Sequence, residues 1–308
     1  MNKKIKKNLP TVTVALSAFN EEINIGNFIN SVLKQKEENF VLEKILIISD
    51  GSTDKIVEIV HSFKNSKLEI KDYKERAGKS TRLNEIYSCL TSDILIQSDA
   101  DVVFCNPYVV RDMVVGLLSD DNIMMTGGNL LPIKPITFTE KAVYVACEVY
   151  RPLRKKVNDG DNVLTVNGPI LGYKKEFIKQ VYVPNDMLAN DMFTYIICKN
   201  KRYGYKYIES AIVNYRLPQT FKDQTKQEAR FIIAPNVIKR YLPHELVDSC
   251  YNLPKKLIRI EMIKQLLKHP ILCLYIFILN KYSKYKSITS IDQINSKWDM
   301  VRSTKKLK

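Results

Sequence analysis

From residue 11 to about residue 130, short β-branched runs alternate with runs whose apolar residues recur every three or four positions. Thr11 to Leu16 predicts a strand, and Glu21 to Lys34 a helix burying Ile25, Phe28, Ile29, Val32 and Leu33. Lys44 to Ile48 predicts a second strand. The helix after it, over Asp54 to Phe63, puts Ile56, Val57, Ile59, Val60 and Phe63 on one face, with Ser52 or Thr53 as its cap. Leu68 to Lys71 is a third strand, Ser80 to Leu90 a third helix and Ile94 to Gln97 a fourth strand. Units at this spacing predict a doubly wound, mostly parallel α/β sheet covered by helices on both faces.

Later segments are less regular. Pro132 and Pro135 mark a loop, Phe138 to Tyr150 a helix, and Asn167-Gly168-Pro169 a turn; Asp191 to Cys198 reads as a helix and Lys206 to Tyr215 as a strand. Beyond Pro254 the pattern becomes basic and amphipathic: Leu257, Ile260, Ile263 and Leu267 share a face, with Lys255, Lys256, Arg259, Lys264 and Lys268 around it. Pro270 to Leu279 is apolar for ten residues, well short of the ~20 that a spanning helix needs.

Charge divides the chain in the same place. The 308 residues carry 48 Lys and Arg against 33 Asp and Glu, but residues 1–200 hold 26 basic and 25 acidic side chains and residues 201–308 hold 22 and 8. A near-neutral body fits catalysis, and a basic end suits lipid headgroups, polysaccharide or nucleic acid. The six cysteines form no C-x-x-C pair and only three histidines are present (His61, His244, His269), which argues against a disulfide scaffold or a zinc module. The N-terminus lacks the apolar core of a secretory signal, so a cytoplasmic protein is expected.

Ligands of doubly wound sheets bind beyond the carboxyl ends of the strands. Here those ends read Ser17-Ala18-Phe19-Asn20-Glu21, Ser49-Asp50-Gly51-Ser52-Thr53-Asp54, Glu75-Arg76-Ala77-Gly78-Lys79 and Ser98-Asp99-Ala100-Asp101. Two carboxylates two residues apart, as in Asp99 and Asp101, can hold a divalent cation or the ribose and metal-bound diphosphate of a nucleotide. Alone the pair also reads as a solvated turn. With Val102-Val103 it resembles the nucleophile motif of haloacid-dehalogenase-like phosphatases, in which Asp99 would be phosphorylated. Asp50 can accept hydrogen bonds from a pyrimidine imide or a ribose hydroxyl, or serve only in a turn. Gly78-Lys79-Ser80 is no phosphate loop, because Tyr73 stands where that motif needs glycine. Lys79 and Arg76 remain cations available to phosphate. Asp191 alone reads as a helix cap, and Gln227 to Phe231 as a solvated helix.

Taken in order, these fragments resemble the inverting glycosyltransferase family 2, nucleotide-sugar enzymes with the GT-A fold. Phe19-Asn20-Glu21 corresponds to the family's Y-N-E, Asp50 to Asp54 to D-G-S-T-D, and Gly78-Lys79 with Leu83-Asn84 to G-K-x-x-x-L-N. Asp99 and Asp101 form its D-x-D, Asn190-Asp191 its acidic pair, and Gln227 to Phe231 its Q-x-x-R-W. Ser17, Phe19, Ser49, Asn190 and Phe231 depart from the usual Pro, Tyr, Asp, Glu and Trp, which weakens assignment to the processive cellulose- or chitin-synthase branch.

The resemblance implies a catalytic domain over 11–235 after a basic tail (1–10), with a nucleotide-sugar-binding half (11–130) and an acceptor-binding half (131–235), and then a basic helical region (236–308). It implies that Phe19 stacks on the nucleobase, that Glu21, Asp50, Lys79 and Asp99 contribute to the donor nucleotide site, and that Asp99 and Asp101 hold Mn²⁺ or Mg²⁺. Asp191 becomes the general base, while Gln227, Arg230 and Phe231 serve the acceptor or diphosphate. The expected donor is a UDP-sugar and the acceptor a glycan or lipid-linked sugar, as in polysaccharide biosynthesis. The basic end suits peripheral attachment to the inner face of an anionic membrane. The competing readings are the phosphatase and a basic nucleic-acid-binding protein; the tail lacks the aromatic-basic interleaving of an RNA-binding sheet, so no nucleic acid is expected.

Overall fold

The computed structural model describes residues 9–289 and Thr304; the rest of the basic tail and of the C-terminal region lies outside the described residues. β1 (Thr11–Ala18), β2 (Val41–Asp50), β3 (Leu68–Tyr73) and β4 (Ile94–Ser98) run parallel in the order β3-β2-β1-β4. They alternate with α1 (Ile25–Leu33), α2 (Ile56–Ser62) and α3 (Lys79–Cys89). Successive residues of a strand point to opposite faces, so a strand covered on both sides must be apolar throughout. Val14 and Leu16 of β1 accordingly enter the core beneath α1 and α2, and Ala15 enters the core on the α3 side.

The second half is mixed. It comprises β5 (Val102–Phe104), α4 (Val109–Leu117), β6 (Ile123–Pro132), α5 (Phe138–Tyr150), α6 (Leu153–Lys156), β7 (Ile170–Lys174), α7 (Lys175–Ile178), α8 (Asn190–Asn200) and β8 (Gly204–Tyr215). The sheet continues β4-β7-β6-β8-β5, with β7 antiparallel to both neighbours, β6 parallel to β8, and β5 antiparallel to β8. Four of the seven pairings are therefore parallel, and one eight-stranded sheet runs through the expected boundary at residue 130.

α9 (Phe221–Ile238) runs past the expected boundary at residue 235 and is followed by α10 (His244–Tyr251), α11 (Lys255–Lys268) and α12 (Pro270–Thr289). α12 lies against α5 and α9, where Phe221 meets the rings of Tyr275 and Tyr282 at centroid distances of 6.0 and 5.4 Å. Among the described residues no helix is long and apolar enough to cross a membrane.

The strand order reverses between β1 and β4: from β1 the chain moves outward through β2 and β3, then returns to β4 on the other side. The carboxyl ends of β1 and β4 thus flank the crevice in which such sheets bind ligands.

Candidate active site

The loops after β1 and β2 are laced together. The Asn20 amide donates to Ser52 Oγ (3.1 Å), the Thr53 amide to Asn20 Oδ1 (2.8 Å), the Glu22 amide to Asp54 Oδ2 (2.8 Å) and the Lys55 amide to Glu22 Oε2 (3.0 Å). Ser52 and Thr53 are thereby drawn away from the capping role expected of them; Lys55 occupies the cap position of α2 and makes no side-chain cap. α1 likewise starts at Ile25 instead of Glu21, because Asn20 takes a φ of 54° and residues 22–24 form a turn onto the Glu21 carbonyl. The lacing sets Phe19 and Glu21 at the end of β1.

Asp50, at the end of β2, is 4% exposed and binds the β3–α3 loop. Its Oδ1 accepts from the Ala77 amide (2.8 Å) and Arg82 Nε (2.7 Å), and its Oδ2 from the Gly78 amide (2.8 Å). Arg82 stacks on Tyr73, 3.6 Å from the ring centroid, and donates to the Glu75 carbonyl at 3.1 Å. Gly51 has a φ of +73°, and a Cβ there would lie 2.7 Å from the Arg76 amide nitrogen, so only glycine lets the two loops approach. Their approach sets the Arg76 guanidinium 4.1 Å from the centroid of Phe19, over the ring expected to receive a base. The predicted nucleobase contact of Asp50 thus falls on a carboxylate that already organises the loop.

Lys79, Asp99, Asp101, Asp191 and Arg230 converge from four segments: the start of α3, the β4–β5 loop, α8 and α9. Lys79 Nζ donates to Asp99 Oδ1 at 2.6 Å. Burial pulls the Lys79 ammonium down, but the charge and hydrogen bond of Asp99, with Asp191 and Asp101, push it above its ordinary value. Burial, then the charges of Glu21 and Asp99, push Asp101 up to about 7 against the pull of Lys79. Burial also raises Asp191, opposed by the Met192 amide, Lys79 and the Gly168 amide. Burial lowers Arg230 to about 10, while Asp191, Asp99 and Asp101 favour its charged form. Gln227 lies one turn before Arg230 on α9, half-buried, and Phe231 is 55% exposed.

α3 places Asp191. The Asn84 side chain pairs with the Val183 backbone in both directions, at 2.8 Å each, as a neighbouring strand would. Thr81 Oγ1 donates to Asn185 Oδ1 (3.3 Å), and Ser80 Oγ to Asn190 Oδ1 (3.1 Å). Asp191, the next residue, accepts from the Gly168 amide through Oδ2 (3.0 Å) and from the Met192 amide through Oδ1 (2.9 Å). Sequence reasoning missed Gly168, Arg82 and the Ser80–Asn190 bond. Arg82 alone left a trace, three residues after Lys79 on a face otherwise expected to be apolar.

Among the described residues no three His, Cys, Asp or Glu side chains form a ready-made metal cage. The donor set still fits a divalent cation of the Mg²⁺ or Mn²⁺ kind, which is held by one or two carboxylates and completed by substrate phosphates and water. Asp101 shows the strain that such a cation relieves, since its ionised form is opposed by Glu21 and Asp99. A carboxyl raised from 3.8 to about 7 costs stability as pH climbs through that interval, and the loss is complete above about 7. We expect the metal-free protein to melt lower at pH 8 than at pH 6, and Asp101→Asn to remove most of that difference. Differential scanning fluorimetry at both pH values checks this; an undiminished difference in the variant rules Asp101 out as the source.

The profile of glycosyl transferase family 2 matches residues 13–181. Poly-beta-1,6-N-acetyl-D-glucosamine synthase of Staphylococcus epidermidis is 24% identical over 230 residues, covering 71% of this chain and 53% of that protein. The same enzyme of Staphylococcus aureus is 24% identical over 233 residues, covering 72% and 54%. The chain thus spans about half the length of these relatives. Among solved structures, a Pyrobaculum calidifontis mannosyltransferase in complex with GDP-Man and Mn²⁺ superposes with a TM-score of 0.59 at 14% identity, over 92% of this chain and 76% of that one. Glucosyl-3-phosphoglycerate synthase from Mycobacterium tuberculosis, in complex with Mn²⁺, UDP and glucosyl-3-phosphoglycerate, gives 0.52 at 17% identity, over 75% and 80%. These likenesses carry the fold, a mixed α/β sheet flanked by helices. The profile spans over half the residues and takes in the ends of β1, β2, β3 and β4, and on that match the chain belongs to glycosyl transferase family 2.

Proposed function

We propose that the protein transfers a sugar, with inversion, from a nucleotide-sugar donor to a glycan or lipid-linked acceptor. The observation that carries this reading is the convergence of Asp99, Asp101, Asp191, Lys79 and Arg230 beside the strand-order reversal. The relatives' names point to N-acetylglucosamine, and the solved structures hold GDP-Man in one case and UDP in the other; a UDP-sugar is the first choice.

A base stacked on Phe19 takes the place of the Arg76 guanidinium and frees it for the phosphates. Asp50 acts mainly by holding the Ala77-Gly78 amides and, through them, the start of α3 with Lys79. Asp99 and Asp101 would hold Mn²⁺ or Mg²⁺, whose charge offsets that building on the departing diphosphate. Glu21, through its charge on Asp101, tightens the demand for a cation at that place. Asp191 removes the proton of the acceptor hydroxyl as its oxygen bonds to the anomeric carbon and the carbon–diphosphate bond breaks on the opposite side; one displacement gives inversion. Burial makes Asp191 a stronger base than an exposed aspartate. Arg230 adds a cation at the diphosphate, with Gln227 beside it, and Phe231 offers an exposed ring to an acceptor sugar. Residues 131–235 supply all four of these groups, Asp191, Gln227, Arg230 and Phe231. A lipid-linked acceptor would bring an anionic membrane surface into play.

The test is donor hydrolysis across UDP-N-acetylglucosamine, other UDP-sugars, GDP-mannose and dTDP-sugars with Mn²⁺ or Mg²⁺. Nucleoside diphosphate is expected from one donor, at a rate reduced about a hundredfold or more in Asp101→Asn. If no donor is turned over and calorimetry finds no metal-dependent binding of free nucleoside diphosphates, the reading fails.

A further inference from the structure

α11 and α12 turn their apolar side chains toward solvent. On α11 the one buried residue is Glu261, paired with Lys264 at 2.8 Å, and Ile258 and Gln265 continue its half-buried stripe. Leu257, Ile260, Met262, Ile263, Leu266 and Leu267 are all exposed, Leu267 by 80%. The residues expected to form an apolar face do point away from the protein, the reverse of a helix that borders water, but Lys256, Arg259 and Lys264 are mixed among them, so the exposed side of α11 is both apolar and basic and not one clean apolar face. α12 continues the surface: Tyr275 and Leu279 turn toward α5 and α9, whereas Ile271, Leu274, Phe277 and Ile278 are exposed, Ile271 by 72%. Apolar exposure on this scale marks an interaction surface.

We infer that the outer faces of α11 and α12 dock on an anionic lipid bilayer, lying in its interface without crossing it. Charge selects this occupant. Residues 255–289 carry eight Lys and Arg and one acidic residue, Glu261. A second copy meeting this face by a two-fold axis would bring like charges together, whereas acidic headgroups complement them while the acyl boundary takes the leucines and isoleucines. Ile271 to Leu279, nine residues, reach about 13 Å along the helix axis at 1.5 Å per residue, less than half of the roughly 30 Å hydrocarbon core, so this apolar run cannot cross it. α12 packs on α9, the helix bearing Arg230, so the docked face is one element from the site. The docking stands on this surface; its link to a lipid-linked acceptor rests on the proposed function.

The test is flotation of the full chain with vesicles of phosphatidylcholine alone or with about one third phosphatidylglycerol, beside calorimetric titration with UDP and Mn²⁺. Binding to anionic vesicles is expected to exceed that to neutral ones by more than about a hundredfold, to weaken with salt, and to fall about tenfold or more in Leu267→Glu/Ile271→Glu. UDP binding should be unchanged in that variant. Lys255→Ser/Lys256→Ser/Arg259→Ser, which leaves the apolar side chains intact, should lose roughly a hundredfold on anionic vesicles only. Absence of anionic flotation, or equal flotation of wild type and both variants, overturns the inference. So does a lipid-free dimer that Leu267→Glu/Ile271→Glu makes monomeric, which would assign the face to a second copy. Flotation as expected without any UDP binding supports the docking and counts against the proposed reaction.

Discussion

Asp191→Asn is expected to slow sugar transfer by about a hundred- to ten-thousand-fold, the range associated with loss of a positioned general base, with nucleoside diphosphate affinity unchanged within about threefold. The two effects separate because Asp191 is held by the Gly168 and Met192 amides, away from the loops after β1 and β2 that would hold the base. The amide keeps one acceptor oxygen for two donors, so one bond is lost, at a cost of about 1 kcal/mol; removing a buried charge offsets part of it. A melting curve shows that the fold survives, and steady-state kinetics then places the loss in kcat. Asp101→Asn should show the opposite pattern, with metal-dependent nucleotide binding lost first. If Asp191→Asn keeps more than about a tenth of wild-type kcat with normal KM, the base lies elsewhere.

Much of this site is legible in the sequence because it is built from strand ends, and strand ends follow from periodicity. Phe19, Glu21, Asp50, Asp99 and Asp101 each sit within three residues of the end of β1, β2 or β4. What periodicity does not give is which side chains an acidic group will meet across the fold. Asp50 looked like a ligand for a base, and its bonds to Ala77, Gly78 and Arg82 bridge 27 to 32 residues. Ser52 and Thr53 have the composition of helix caps, but are engaged instead by Asn20, 32 and 33 residues away. β5, β6 and β7 escaped notice for a related reason. β5 has three residues, β7 begins directly after a Gly-Pro turn, and β6 contains Gly127 and Gly128, so none shows the long alternation that marks a half-exposed strand. The run of interspersed apolar and basic residues beyond Pro254 is legible as well, but it does not say whether protein or another phase covers the apolar side chains.

Glu140→Ala should destabilise the protein by about 3–5 kcal/mol, the cost of leaving one member of a buried ion pair without its partner. Glu140 is 1% exposed and Arg216 3%, and Arg216 Nη1 reaches Glu140 Oε1 at 2.8 Å. The other oxygen, Oε2, accepts from the amides of Ile136 and Thr137 at 2.8 Å each, and Thr137 Oγ1 accepts from the Glu140 amide at 3.1 Å, closing a capping box on α5. Burial raises the Glu140 carboxyl, and the Thr137 and Ile136 amides with Arg216 more than reverse that, so it is held below its ordinary value. Stability from this group is therefore present above the ordinary carboxylate range and is lost as pH falls through the lowered value. Glu140→Gln, which keeps the cap but not the charge, should lose less. Glu140→Leu/Arg216→Met, which removes both charges, should lose less than Glu140→Ala despite the larger change. Urea unfolding of the three variants decides the matter: a loss below about 1 kcal/mol in Glu140→Ala would mean that water reaches Arg216. The consequence extends to the site, because Arg216 and Thr137, whose Oγ1 donates to the Gln219 carbonyl at 3.0 Å, anchor the chain between β8 and α9. α9 delivers Arg230, so Glu140→Gln, still folded, should raise KM for the donor more than it lowers kcat.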